Sequence, residues 1–363
     1  MDEEKPNIVV TGISGFLGLR LLPQLAGYRV TGIDLHPPLT NLPLRFVQLD
    51  LGLEESCREL FLLLRELRPV ALIHLAFVMD PAAAGIEDFD RVWQINVGGT
   101  ARVMEALTEV NRDEAIIKKF IFLSCALVYG SNLPSPASED LKLAAHSLAV
   151  TVHKMESDQA VQQRAPSARG CSVYVLRPAA FAGSKAENFL VASLRGTPAG
   201  RGKFAVMLTR DRRRIPCILP WGKRYLENKI QFVHVEDVAR LIAYILRKTE
   251  PEARRLTILN VAGRGDPLTF ESCLKISQSK VVRVPGVWAM RTLLRIFWKT
   301  GISRIPPEAT PYLSGQGIIM NTSRLREFLG PYDAEVIRHT VSDALADSFQ
   351  GTSSAQAHSP RVA

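Results

Sequence analysis

Cysteine is scarce in this chain, and its distribution excludes two kinds of cross-linked domain. Only five of the 363 residues are cysteine, and none of them forms a Cys-x-x-Cys pair. An odd number without paired spacing argues against a disulfide framework and against a zinc site. We therefore predict no metal centre and a reducing, cytoplasmic location. The five are Cys57, Cys125, Cys171, Cys217 and Cys273.

The sequence also has no long apolar segment. Its first five residues, Met-Asp-Glu-Glu-Lys, are acidic, so we expect no signal peptide. The longest apolar stretches are interrupted by charges at Arg65–Arg68 or end at Asp80, well short of the ~20 residues that cross a bilayer. No internal repeat is evident. With 47% hydrophobic residues, the chain can build one large α/β core and a smaller lobe.

Three regularly spaced glycines follow the first apolar run. Ile8–Thr11 predicts a buried strand, and the glycines at positions 12, 15 and 18 predict a tight turn into a helix. The free N–H groups at the start of such a helix can bind a pyrophosphate. A second apolar run, Tyr28–Ile33, ends in Asp34, which is placed to accept hydrogen bonds from ribose hydroxyls. No arginine follows Asp34 directly, so the sequence favours NAD over NADP.

Further motifs follow this opening in a characteristic order. Together they resemble the extended short-chain dehydrogenase/reductases, the group that contains sugar-nucleotide epimerases and dehydratases. The resemblance runs from about residue 7 to residue 330 and implies an α/β fold: a Rossmann-type doubly wound parallel sheet with a smaller, mostly C-terminal substrate lobe. The motifs are Thr11–Gly18, Asp50-Leu51, His74-Leu75-Ala76, Asn96-Val97-Gly98-Gly99-Thr100, Ser124–Gly130, Leu176-Arg177-Pro178 and Phe232–Ala239.

The resemblance also implies domain boundaries and a homodimer. It assigns residues 1–180 and 229–263 to the NAD-binding domain, and 181–228 and 264–345 to the substrate lobe. The Ser-, Ala- and Gln-rich composition of the last residues separately predicts a disordered tail over 346–363. Relatives commonly dimerise through two long helices, which here correspond to Asp88–Val110 and Ala149–Arg164. One feature fits badly: Pro23 lies inside the first helix and should kink it or end it early.

A cofactor site at the carboxyl ends of the strands is a further implication of the resemblance, because ligands of open α/β sheets bind at that edge. Lys154 is implied to hold the nicotinamide ribose, and Asp50 with Leu51 to contact the adenine. The implied cofactor residues are Gly12, Ser14, Gly15, Phe16, Leu17, Gly18, Asp34, Asp50, Leu51, Leu75, Ala76, Asn96, Lys154 and Pro178.

The catalytic positions depart from the family's pattern. In the family a Tyr-x-x-x-Lys pair lies on one helix, and the tyrosine moves the substrate's hydroxyl proton. The matching lysine is Lys154, so Val150 occupies the tyrosine position, and no tyrosine occurs between residues 130 and 173. Cys125 stands where the family has a Ser or Thr that binds the reacting oxygen, and a thiol is a weaker donor.

Three interpretations stay open at this centre. The chain binds NAD without redox chemistry, as a sensor, scaffold or inactive subunit; another group has taken over proton transfer; or an unusual substrate supplies its own acid or base. We favour an enzyme because the cofactor motifs are intact. His146 and His153 can share a helical face with Lys154 and act in place of the tyrosine, although for each histidine taken alone an ordinary surface residue is the favoured interpretation. The candidate catalytic residues are Lys154, Cys125, Ser124, Tyr129, His146 and His153.

The substrate signals point away from an ordinary UDP-sugar pocket and towards an anionic partner. The family's asparagine after Leu176-Arg177 is missing, and Ile230-Gln231 replaces the arginine expected before Phe232. Residues 195–224 hold nine basic residues and one acidic one. A phosphorylated substrate or an acidic lipid surface would match this charge, while a solvated surface is the alternative. Nucleic acid is disfavoured, because few aromatic residues interleave with the basic ones.

Residues 287–300 predict a basic amphipathic helix. Arg291, Arg295 and Lys299 recur every four residues and form one stripe, with tryptophans and aliphatic residues around them. Such a helix can lie on an anionic membrane. It can equally cover the substrate pocket with its apolar side, and we prefer this interpretation. A covered pocket favours a partly apolar or lipid-linked substrate.

Overall fold

Seven parallel strands form the central sheet of the computed structural model. The structure describes residues 5–350, apart from 87, 132, 134–135, 187, 197, 199–201, 212, 249–254, 304 and 316. Over the described residues the chain forms thirteen strands, of which seven belong to this sheet and six form smaller pairs. The strands are β1 (Asn7–Thr11), β2 (Arg29–Asp34), β3 (Arg45–Gln48), β4 (Ala71–His74), β5 (Lys119–Leu123), β6 (Ser172–Pro178), β7 (Ala180–Ala182), β8 (Cys217–Pro220), β9 (Lys229–Ile230), β10 (Phe232–His234), β11 (Leu256–Val261), β12 (Leu268–Thr269) and β13 (Val281–Val284). The sheet order is β11-β6-β5-β4-β1-β2-β3.

Helices follow most strands of the sheet, and further helices belong to the second lobe. They are α1 (Phe16–Leu21), α2 (Ser56–Leu67), α3 (Pro81–Ala84), α4 (Phe89–Trp93), α5 (Gly99–Val110), α6 (Ala149–Arg164), α7 (Phe189–Arg195), α8 (Lys203–Arg210), α9 (Arg224–Glu227), α10 (Val235–Arg247), α11 (Phe270–Ser277), α12 (Val287–Lys299), α13 (Thr310–Ser314), α14 (Ser323–Leu329), α15 (Asp333–Val336) and α16 (Val341–Asp347). A π-helical segment, Gln94–Gly98, joins α4 to α5.

The strands are apolar because helices cover both faces of the sheet. In β1, Ile8 and Val10 belong to a buried cluster that includes residues of α1 and α10. Val9, pointing the other way, belongs to a second cluster with Leu60 of α2 and Val103 of α5. The predicted doubly wound fold is therefore confirmed.

Pro23 ends the first helix, as predicted. The helix α1 stops at Leu21, and a 3-10 turn, Leu22–Leu25, follows with the proline near its start. Proline has no N–H for an α-helical hydrogen bond, so the tighter turn replaces another turn of helix.

The second lobe joins two separated parts of the chain. Strand β8 pairs in parallel with β13, so that Cys217 lies opposite Val281. In contrast, Leu325 and Leu329 of α14 and Val336 of α15 belong to the same buried cluster as β1. These residues therefore pack with the central sheet, although the sequence assigned everything from 264 to 345 to the lobe.

Residues 346–350, which the sequence assigned to a disordered tail, are ordered in the structure. Helix α16 reaches Asp347, and Ser348 is buried and donates its hydroxyl proton to Ala344. The expectation of disorder is therefore wrong for the first residues of this segment, because α16 packs against β10. Residues 351–363 lie outside the described residues, as do Arg201 and Arg212 of the basic run. Within the described ranges, no helix has the length and apolarity required to span a bilayer.

Candidate active site

The carboxyl edge of the central sheet gathers the predicted cofactor residues. Gly12 directly follows β1, and Asp34 is the last residue of β2. Leu75 and Ala76 follow β4, and Pro178 ends β6. Since all these strands are parallel, their carboxyl ends lie along one edge, where open α/β sheets bind their ligands.

The glycine loop combines two packed positions with one open position. Gly12 has a φ of +74°, and a Cβ there would lie 2.5 Å from the Ala76 nitrogen. A Cβ on Gly18 would lie 2.5 Å from the Ile13 oxygen, whereas one on Gly15 would meet only the Gly12 oxygen, at 3.1 Å. No described side chain caps α1 at Gly15. The first N–H groups of α1 are thus left for an external acceptor beside Gly15.

Asp34 is held next to this loop by two backbone donors. Its carboxylate accepts hydrogen bonds from the N–H of Ser14 at 2.9 Å and of Leu35 at 2.8 Å. The Ser14 hydroxyl in turn donates to the His36 oxygen at 2.7 Å. These contacts fix a negative charge beside the glycine loop, as recognition of ribose hydroxyls requires.

Several predicted cofactor residues turn out to support the site from behind. Leu17 is buried in the core cluster of β1, and Leu51 packs against Gly99. Asp50 binds the Arg91 guanidinium. The amide of Asn96, buried in the π-helical segment, accepts from the Val78 N–H at 2.7 Å and donates to the Val78 oxygen at 3.1 Å. Asn96 therefore holds the segment that follows Ala76.

Phe16 and Pro178 complete the predicted set. The Phe16 ring lies 3.8 Å from the Arg20 guanidinium carbon, next to the open position at Gly15. Pro178 pairs with Val261 at the end of the sheet.

Lys154 is buried at the centre of the predicted catalytic region. Its Nζ donates to the Leu123 oxygen at 2.9 Å and lies 3.4 Å from the centre of the Phe77 ring. Burial lowers the pKa of this amine to about 7, and the proximity of Cys125 and Asp158 opposes the shift. Lys154 therefore exchanges its proton close to neutral pH.

Neither residue that replaces the family's hydroxyl groups supplies an equivalent acid. Val150, in the first turn of α6, is buried and apolar. Burial raises the pKa of the half-buried Cys125 thiol, although Lys154 partly offsets this effect. The thiol therefore stays protonated and is a poor hydrogen-bond donor.

Ser124 and Tyr129 belong to a buried network behind the site. The Ser124 hydroxyl donates to Asp158 at 2.5 Å, and the Tyr129 hydroxyl donates to Asn260 at 2.7 Å. Arg177 binds both Asp158 oxygens at 2.9 Å and also donates to the Tyr129 oxygen. Burial lowers the pKa of Arg177, but the Asp158 carboxylate more than compensates. Ser124 and Tyr129 are thus held by buried partners behind Lys154, and their part in proton transfer stays a prediction.

The two candidate histidines do not share the face of Lys154. His146 lies before α6, because Ser147 adopts a φ of +66° and the helix begins at Ala149. His153 is on the helix, but adjacent helical residues point about 100° apart. Its ring is buried, its Nδ1 finds no partner among the described residues, and burial lowers its pKa. The predicted common face is therefore wrong for both residues.

A residue that the sequence did not indicate occupies the start of α6. Tyr312, on α13 of the second lobe, places its hydroxyl 3.1 Å from Thr151 Oγ1. The same hydroxyl donates to the His146 oxygen at 2.9 Å and accepts from the His146 N–H at 3.1 Å. Thr151 directly follows Val150 and precedes Lys154 by three residues, hence one helical turn. No local spacing could reveal Tyr312, because more than 150 residues separate it from α6.

Two cavities are lined by Pro311, the residue before Tyr312. One, of about 390 Å³, is lined by residues that include Arg224 and Tyr225. The other, of about 400 Å³, is lined by residues that include Ser147 and Arg291. Val287 and Pro311 line both. Both cavities thus combine a guanidinium group with apolar walls, and the second also contains Glu308. The second cavity reaches Ser147, just before α6.

Comparisons with known proteins agree with the fold. The model of the NAD dependent epimerase/dehydratase family matches residues 8–262. The solved structure of MoeE5 in complex with UDP-glucuronic acid and NAD is 18% identical, with a TM-score of 0.63, and the match covers 94% of this chain and 97% of that chain. WbmH of Bordetella bronchiseptica in complex with NAD+ is 15% identical, with a TM-score of 0.64, over 95% and 97% of the two chains.

A dTDP-glucose 4,6-dehydratase from Bacillus anthracis, in complex with NAD, is 16% identical with a TM-score of 0.63, over 95% of this chain and 96% of that chain. A search of the curated proteins found no match. At these identities, the solved structures show a common fold that extends over nearly the whole chain.

Proposed function

Because residues 8–262 match the family model, this chain belongs to the NAD-dependent epimerase/dehydratase family, and we propose that it binds NAD at the carboxyl edge of its sheet. The open position at Gly15 and the uncapped start of α1 fit a pyrophosphate. The Asp34 carboxylate fits ribose hydroxyls and repels a 2′-phosphate, so NAD is preferred to NADP.

The phenol of Tyr312 takes the place of the hydroxyl missing at Val150. The observation that carries this proposal is the 3.1 Å distance between the Tyr312 hydroxyl and Thr151 Oγ1, at the helix position next to Val150. NAD supplies hydride chemistry when bound, and the protein must then move a proton at the substrate oxygen. The Tyr312 oxygen would accept the substrate's hydroxyl proton as hydride leaves the substrate and return it when hydride comes back, and the buried ammonium of Lys154, one turn along α6, stabilises negative charge nearby.

The substrate is an anionic and partly apolar small molecule. Arg224 and Arg291 line the two cavities next to Pro311, together with apolar walls. MoeE5 has been solved with UDP-glucuronic acid and with UDP-glucose, so a nucleotide sugar is one member of this class. In this chain, however, Asn188 caps α7 and Gln231 is bound to the Met320 backbone. Neither amide is free to bind a nucleotide.

The homodimer also remains a proposal. The helices expected at the interface form as α4, the π-helical segment and α5, next to α6. Phe89 of α4 is 61% exposed, which suits a contact with a second copy. A cytoplasmic location is proposed on the cysteines, since all five are free in the structure.

A second candidate function is NAD binding without turnover. It is favoured by the position of Lys154, whose Nζ is bound to the Leu123 oxygen beneath Phe77. In that case the chain acts as a sensor, scaffold or inactive subunit whose conformation depends on NAD.

The two functions are separated by one set of measurements on the purified full chain. Titration calorimetry with NAD and NADP tests the cofactor site, and we expect tighter binding of NAD; equal affinity would contradict the role of Asp34. Incubation of the NAD complex with a panel of nucleotide sugars and phosphorylated amphiphiles, followed by absorbance of reduced nicotinamide and product chromatography, tests turnover. NAD binding without conversion of any compound would favour the non-catalytic function.

A further inference from the structure

The second lobe exposes an unusual concentration of large apolar side chains. Three of the four tryptophans of the chain lie there, and Trp221 and Trp288 are 62% and 69% exposed. Phe204 and Val206 of α8 are exposed to a similar degree. Exposed aromatic residues of this size mark interaction surfaces when they are contiguous.

Backbone contacts bring these side chains to one region. The Gly202 N–H, at the start of α8, donates to the Gly301 oxygen just beyond the end of α12. At the other end, the Trp221 N–H donates to the oxygen of Val284, three residues before α12 begins. The exposed residues of α8, Trp221 and α12 therefore border the ~20 Å length of α12. We call this region the α8/α12 face.

The solvent side of α12 carries a tryptophan and cations together. Met290 and Leu294 are buried, and Trp288 lies on the opposite side of the helix beside the basic stripe. Trp298, one turn after Leu294, is 39% exposed at the edge of the buried side. The expectation that the apolar side of this helix covers the substrate pocket stays a prediction, and Val287 of α12 does line both cavities. Tryptophan prefers the boundary between lipid headgroups and acyl chains, and lysine and arginine bind anionic headgroups.

The charge of the face selects its occupant. Helix α12 contains Arg291, Arg295 and Lys299 but no acidic residue, and α8 begins with Lys203 and ends with Arg210. Asp211 is the only acidic residue between positions 195 and 224. A second copy bound by this face would bring like charges together, whereas an anionic bilayer is complementary.

We propose that the α8/α12 face docks on the surface of a bilayer that contains anionic lipids. Trp221, Trp288 and Trp298 enter the headgroup boundary, and the basic stripe binds the lipid phosphates. Val287 lines both cavities next to Pro311, and Arg291 lines the second, so docking brings these cavities next to the bilayer. A lipid-linked substrate could then enter these cavities from the bilayer. This consequence rests on the proposed function, whereas the docking itself is independent of it.

Flotation of the full chain with vesicles tests the proposal. We expect binding to vesicles of phosphatidylcholine with phosphatidylglycerol, weaker binding at high salt, and little binding to phosphatidylcholine alone. Trp288→Ser with Trp298→Ser, and separately Arg291→Glu with Arg295→Glu, should each weaken binding about tenfold or more. A shift of tryptophan emission to shorter wavelength on binding should disappear in the tryptophan variant.

A matched control is available on α2, where Arg58 and Leu62 are exposed and lie four residues apart. Arg58→Glu with Leu62→Ser should bind vesicles like the parent. Equal binding to both kinds of vesicle, or unchanged binding by the α8/α12 variants, would overturn the proposal. So would a lipid-free dimer that the tryptophan variant converts to monomer. Melting temperature and NAD affinity, measured without lipid, show that each variant is folded and keep a failure of docking distinct from a failure of the proposed function.

Discussion

The hydroxyl of Tyr312 lies 3.1 Å from Thr151 Oγ1, and this contact joins the second lobe to the first turn of α6. If this phenol performs proton transfer, Tyr312→Phe should lower turnover about a hundredfold or more, with unchanged NAD affinity. Turnover on the substrate found by the panel and calorimetry with NAD measure the two effects.

The control for this variant is Tyr332→Phe. Tyr332 is 49% exposed and stacks against Tyr244, away from α6. Its substitution should leave turnover unchanged. Equal activity of Tyr312→Phe and Tyr332→Phe would remove Tyr312 from the mechanism.

The open position in the glycine loop gives a second prediction. Gly15→Ala should keep the fold, because the new Cβ meets only the Gly12 oxygen at 3.1 Å. The methyl group should nevertheless weaken NAD binding at least about tenfold, since it fills the space beside the pyrophosphate. Calorimetry measures the loss, and Gly27→Ala, whose Cβ would contact nothing within 4 Å, is the control. Equal NAD affinity of the two variants would place the cofactor elsewhere.

The buried pair of Arg177 and Asp158 gives a prediction on stability. Asp158→Asn leaves the guanidinium buried without its counter-ion, so the free energy of unfolding should fall by about 3 kcal/mol or more in urea. Glu66→Gln, which breaks the exposed pair with Arg45, should cost less than about 1 kcal/mol. A loss of similar size in both variants would contradict the structural role of the buried pair.

His74 gives a prediction on pH. Its Nδ1 lies 2.7 Å from Thr11 Oγ1 and its Nε2 lies 3.0 Å from Thr100 Oγ1. Burial, with a smaller effect of Lys154, lowers its pKa from 6.5 to about 3. Below about pH 6.5 the unfolded chain then binds a proton that the folded chain does not. The contribution of neutral His74 to the free energy of unfolding is therefore fully present above about pH 6.5 and is lost as the pH falls towards 3.

Between about pH 7 and about pH 5 this effect should cost about 2 kcal/mol of the free energy of unfolding. The loss should be absent from His74→Gln, whatever the variant's stability at pH 7. Urea unfolding of both proteins at the two pH values measures it. Equal losses in the two proteins would show that folding does not lower the pKa of His74.

Local spacing was enough to predict some parts of the site and not others. The glycines and Asp34 were predictable because one strand, one turn and the next strand determine where they meet. His146 was misplaced because a single left-handed residue, Ser147, delays the start of α6. Tyr312 could not be predicted, since its position depends on how the second lobe packs on α6. The surroundings of α12 were not predictable for a related reason: periodicity shows that a helix is amphipathic, but not which side its neighbours cover.

The last prediction concerns restoration of the missing side chains. Val150→Tyr with Cys125→Ser returns a phenol four residues before Lys154 and a hydroxyl donor on the neighbouring segment. We expect the double variant to bind NAD and to gain no turnover on UDP-glucose or UDP-galactose, because the two changes restore no nucleotide contact. Asn188 still caps α7, and Gln231 still binds the Met320 backbone. Chromatography of the sugar nucleotides measures the outcome, and measurable epimerisation would show that the pocket accepts UDP-sugars after all.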